Sequence, residues 1–139
     1  MHDEELDRAV RLNHEIFMRT SDRVVEVLAE HGLTHATAQV LWALDPEQPP
    51  PSMKALAEQL FCNASNLTFM AGQLTDRGLV ERTVDPADRR SRVLVLTDDG
   101  ARVRAAVLRA TLDLSPFARL DRDQLATLLP LLEAALDRR

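Results

Sequence analysis

The sequence predicts a mainly α-helical chain with one β-hairpin, in the order helix, helix, helix, helix, hairpin, helix, helix. Three observations predict it. Apolar residues recur at helical spacing near both ends of the chain. Cap residues and glycine stops punctuate its centre. Two β-branched runs flank the proline-bearing tip of "TVDPADRRSRVLVLT".

The elements follow in order. Leu6, Val10, Phe17, Val24, Val27 and Leu28 share one helix face from residue 5 to about 30, and His31-Gly32 is the stop signal. Thr34 caps a second helix whose apolar positions include Ala38, Leu41, Trp42 and Leu44, and "DPEQPPP" from Asp45 to Pro51 then forbids helix. Ser52 starts a short third helix, "SMKALAEQL", with Met53, Leu56, Ala57 and Leu60 inward. Asn63 caps the fourth, "ASNLTFMAGQLTDRG", which buries Leu67, Met70, Ala71 and Leu74 and closes at Gly78. Leu79–Thr83 and Arg92–Leu96 form the hairpin strands around a tip containing Pro86. Thr97 caps a fifth helix that carries Val103, Ala106, Val107 and Ala110 and breaks near "LSPF" because Pro116 has no amide hydrogen to donate. Asp121, with Gln124 in capping-box position, opens a last helix to about Asp137, with a kink expected at Pro130.

A length of 139 residues and a 45% apolar fraction suit a single domain, residues 1–139, with a core of its own. One cysteine, Cys62, excludes an intramolecular disulfide and a thiolate metal cluster. Its place in the turn before the fourth helix suits a small core hydrophobe better than a redox sensor. The N-terminus carries no apolar run, so the expectation is a soluble, cytoplasmic chain with no membrane segment. His2, His14, His31 and His35 lack metal-ligand spacing on one helix face, so no metal is expected. Without a phosphate-cradling glycine loop, a nucleophile elbow or a convergent acid–base set, neither catalysis nor a cofactor is expected.

The terminal helices carry apolar stripes that residues 34–97 have little surface to cover. The simplest cover is a second copy, so residues 1–32 and 98–139 are expected to act as dimerisation helices around a central lobe of residues 34–97.

The net charge of -5 is unevenly spread: residues 1–62 hold 5 basic and 11 acidic side chains, whereas residues 63–92 hold 5 and 4. Local field governs contact with a polyanion, because the Debye length is only about 8 Å at physiological salt. In "LAEQLFCNASNLTFMAGQLTDRGLVER" two helices meet at a tight turn, and the outer face of the second holds Ser65, Asn66, Phe69, Gly72 and Gln73, with Thr68 also on its polar surface. Such a helix fits a major groove about 12 Å wide, where Asn and Gln pair with adenine. Beside it, Arg89, Arg90 and Arg92 of the hairpin can enter a minor groove, with Arg90 as the tip residue and Asp85 and Asp88 orienting the arginines. These residues make double-stranded DNA the expected partner. A rival reading, suggested by the acidic charge and the outward Phe69, is a module that docks on another protein.

"GLVER", the wing "DPADRR" and the closing "LVLTDDG" together resemble the MarR family of winged helix-turn-helix transcriptional regulators, over residues 5 to 137. The family's wing pattern, an acid, two residues, an acid and then basic residues, falls on Asp85, Asp88, Arg89 and Arg90. The resemblance implies a homodimer on a pseudo-palindromic operator, acting as a repressor and released by a small aromatic or phenolic effector. His14, Phe17, His35 and Trp42 are the candidates to line a crevice for such a ligand. The recognition helix departs from the family in having Ala64, Phe69 and Gln73 where basic residues are common, which leaves Arg77 as its one basic residue.

Overall fold

The structure, a computed structural model, describes residues 1–137. Its elements are α1 (His2–Glu30), α2 (His35–Ala43), α3 (Met53–Gln59), α4 (Ala64–Asp76), β1 (Val80–Asp85), β2 (Asp88–Leu96), α5 (Asp98–Leu114), a 3₁₀ turn at Pro116–Arg119, and α6 (Arg122–Ala135). The chain forms two compact units: residues 25–110, and residues 1–24 together with the described residues from 111 onward.

Local chemistry sets the helix starts of the 25–110 unit. Thr34 and Thr37 make a reciprocal capping box at α2, and the Ser52 hydroxyl accepts the Ala55 amide at 3.1 Å ahead of α3. Asn63 Oδ1 accepts the Asn66 amide at 2.7 Å ahead of α4. Thr97 does two jobs. Its hydroxyl donates to the Gly78 carbonyl at 2.6 Å and accepts the Gly100 amide at 3.0 Å, so the residue that starts α5 also holds the end of α4. Gly78, at φ +73°, takes the left-handed conformation that ends α4 and turns the chain into β1.

The core of this unit is Leu28, Leu33, Val40, Leu41, Leu44, Leu56, Ala57, Leu67, Ala71, Leu74, Leu79, Val80, Val93, Leu94, Val103 and Val107. α4 packs on α2, α3 and β1 through Leu67, Ala71 and Leu74, which leaves the opposite side of the helix in solvent. Gly100 sits so close to the residue that leads into β1 that the Leu79 carbonyl oxygen fills the space a β-carbon there would need.

Two apolar residues of these helices stand outward. Trp42 is 46% exposed, because Val40 and Leu41 take the buried side of α2 and the Trp42 carbonyl is instead held at the helix end by two Arg104 hydrogen bonds of 2.9 and 3.2 Å. Ala106 is exposed, since Gly100, Val103 and Val107 already form the buried stripe of α5 and Ala106 falls to one side of it.

The hairpin also differs from the expected one. β1 and β2 pair antiparallel from Val80↔Leu96 through Val84↔Arg92 to Asp85↔Asp88, with a bulge between Val84 and Asp85. Pro86 and Ala87 alone make the turn, so Arg89 and Arg90 stand on β2 rather than in a loop. The two acids shorten the turn: Asp85 Oδ1 accepts the Ala87 amide at 2.9 Å and Asp88 Oδ1 the Arg90 amide at 3.0 Å.

In the other unit, the Asp121–Gln124 capping box opens α6, which continues through Pro130. The unit exposes large apolar residues: Leu6, Val10 and Phe17 on α1, and Leu129, Leu131, Leu132 and Leu136 in and just after α6. No helix among the described residues is long and apolar enough to cross a membrane.

Candidate nucleic-acid interface

Burying Leu67, Ala71 and Leu74 turns Ser65, Asn66, Phe69 and Gln73 outward at spacings of three and four residues, and all four are exposed. Thr68 is exposed too, but its hydroxyl donates to the Ala64 carbonyl at 2.9 Å, which leaves only acceptor capacity for a ligand. The first turn of α4 carries no acidic residue, so nothing opposes an anion at its positive end.

On β2, Arg89, Arg90 and Arg92 are all exposed. The Arg90 side chain is 96% exposed, with its Nε 4.0 Å from Asp88 Oδ1. Asp88 binds the Arg90 backbone amide and, at 3.3 Å, the Ser91 hydroxyl, so it shapes the strand that presents the arginine instead of gripping the guanidinium as a fork. Arg92 Nη1 lies 3.5 Å from the Arg89 carbonyl oxygen and 3.3 Å from that of Ser91. Exposed ion pairs such as Arg90–Asp88 contribute little to stability, so the arginines remain available to a stronger anion.

Two residues gained meaning only in three dimensions. Arg77, the basic residue of the fourth helix segment, does not lie on the outward face: its guanidinium fills the space above Gly32, just past the end of α1. Phe61, in the turn between α3 and α4, has φ +54° and is 98% exposed. The four-residue turn without a glycine was the signal in the sequence that some side chain would have to take this left-handed position.

Of the residues considered for a small-molecule crevice, His14 and Phe17 belong to the unit with the chain ends and His35 and Trp42 to the 25–110 unit; each is exposed. Trp42 borders an apolar cleft with Ala38, Leu41, Arg104, Val107 and Leu108, of about 10 Å³. Small-molecule sites run to roughly 300 Å³ and more, so a ring would enter there only if the cleft opened. Cys62 is half-buried, its amide bound to the Ala57 carbonyl at 3.0 Å. Among the described residues no group of His, Cys, Asp or Glu is arranged to hold a metal ion.

A tight helix–turn–helix with an outward polar face, followed at once by a two-stranded wing carrying exposed arginines, defines a winged helix-turn-helix protein. Residues 31–91 match the MarR family profile. The transcriptional repressor CouR, solved on a 23-mer DNA duplex, is 30% identical, with a TM-score of 0.70 over 99% of this chain and 93% of that one. A point mutant of MarR from E. coli, solved with operator DNA, is 26% identical, with a TM-score of 0.71 over 95% of this chain and 96% of that one. The chain therefore belongs to the MarR family. The transcriptional regulator HosA of Escherichia coli O111:H- is 36% identical over 62 residues, 45% of this chain and 46% of HosA. The matches span about half the length of the first curated relatives.

Proposed function

We propose that this chain is a sequence-specific double-stranded DNA-binding transcriptional regulator that works in the cytoplasm as a homodimer on a pseudo-palindromic operator, and that it represses by occupying the operator. The observation that carries the reading is the pairing, in a chain of net charge -5, of an outward polar α4 surface whose first turn holds no acid with a wing whose Arg90 is 96% exposed. α4 would enter the major groove, with Asn66 and Gln73 as base readers and Ser65 and Thr68 near phosphate or base edges. Arg89, Arg90 and Arg92 would meet the adjacent minor groove and its phosphates, where a narrow groove concentrates negative potential. The exposed apolar residues of α1 and of α6 with its end support a partner of the same kind, because a second copy would cover them. The solved complexes of CouR and MarR with DNA support the same reading.

The test is a gel shift with Arg90→Ala on a duplex selected from a random pool. Loss of the wing contact should weaken binding by about 1–3 kcal/mol, roughly 5- to 150-fold. Unchanged affinity would remove the wing from the mechanism. The rival protein-docking reading separates on salt, since only phosphate contact makes affinity fall steeply and linearly in log–log form.

A further inference from the structure

Resting on the DNA-binding reading just given, we propose that the α4 face recognises A·T base pairs, with Phe69 reading the C5-methyl group of thymine and with no guanine reader on the helix. Phe69 lies at the centre of the outward stripe, with Ser65 and Asn66 one turn before it and Gly72 and Gln73 one turn after. It is 68% exposed, an unusual place for a phenyl ring on a helix that has Leu67, Ala71 and Leu74 buried behind it.

The chemistry around the ring selects the ligand. Amide side chains such as Asn66 and Gln73 match the donor–acceptor pair of adenine N6 and N7, and the only apolar group on any base edge in the major groove is the thymine methyl. Guanine is read there by arginine or lysine. α4 has neither: residues Ala64 to Asp76 contain no basic side chain, and Arg77 at its C-cap is directed over Gly32 instead. Gly72 has no atom within 4 Å of where its β-carbon would be, so the strip beside Phe69 is open to a close approach. A phenyl ring flanked by two amides, on a face whose one charged residue is Asp76 at the last turn, thus fits an A·T step and would leave a G·C pair there without a positive partner.

The experiment uses the full-length protein and a duplex selected from a random pool. Each thymine of the half-site is replaced in turn by deoxyuridine, which keeps every base-pairing hydrogen bond and removes only the methyl. At one thymine per half-site the wild type should lose about fourfold in affinity, the value of one buried methyl-sized group. Phe69→Ala should bind the thymine duplex about as weakly as the wild type binds the deoxyuridine one, and should no longer distinguish the two. The proposal is overturned if every deoxyuridine duplex binds the wild type as well as its parent, if Phe69→Ala keeps the same methyl dependence, or if selection returns G·C pairs throughout the α4 footprint. Those results with salt-sensitive duplex binding intact would sink this inference alone. A protein that selects no duplex at all would sink the DNA-binding reading with it.

Discussion

Phe61 combines two costs at one position. A non-glycine residue at φ +54° is strained by about 1–2 kcal/mol, and a ring that is 98% exposed recovers none of that through burial. Nothing in the fold of the 25–110 unit needs the phenyl group, so Phe61→Gly is expected to leave the stability within about 1 kcal/mol of the parent, the relief of strain offsetting the added freedom of the unfolded chain. Urea denaturation followed by circular dichroism checks this, and a loss of more than about 2 kcal/mol would mean that the ring packs on something. How much of the site could be read from sequence divides by residue. Ser65, Asn66, Phe69 and Gln73 were legible because helical periodicity fixes which side of α4 the buried leucines leave free. Arg77 was not: its direction depends on the space above Gly32, which lies 45 positions earlier in the chain.

At the scale of elements, α4 is a 13-residue helix, too short to be stable alone, and it depends on its cap and on the contacts it makes with α2, α3 and β1. Asn63→Ala should therefore cost about 1 kcal/mol by leaving the Asn66 amide unpaired, measured by thermal or urea unfolding, while Asn63→Asp should retain most of that stability. A fall as large for Asn63→Asp as for Asn63→Ala would show that the cap bond is not what the residue supplies. The caps at Thr34, Ser52, Asn63, Thr97 and Asp121 were all legible, because side-chain capping is a local interaction within three residues. Strand lengths were less so. The expected hairpin stopped at Thr83 and resumed at Arg92, whereas pairing continues to Asp85↔Asp88. The difference comes from two carboxylates turned onto backbone amides, which let Pro86-Ala87 serve as the whole turn. Trp42 shows a complementary limit: helical spacing counts it among the apolar positions of α2, but Leu41 beside it already fills the core side.

For the whole molecule, the proposal joins an acidic chain to a polyanion, and geometry has to do what net charge does not. A single α4 with no basic residue offers few contacts, so specific affinity must come from doubling it. In a two-fold dimer, paired recognition helices meet successive major grooves about 34 Å apart on one face of the duplex. The exposed leucines of α6, with Leu6, Val10 and Phe17 of α1, are the apolar surface available for that pairing. The most direct test of the account is a hydroxyl-radical footprint of the full-length protein, titrated onto a duplex selected from a random pool. Paired recognition helices should give two protected stretches on one face, centred roughly 10 base pairs apart and filling in a single transition. One isolated protected stretch, or none at saturating protein, would contradict it.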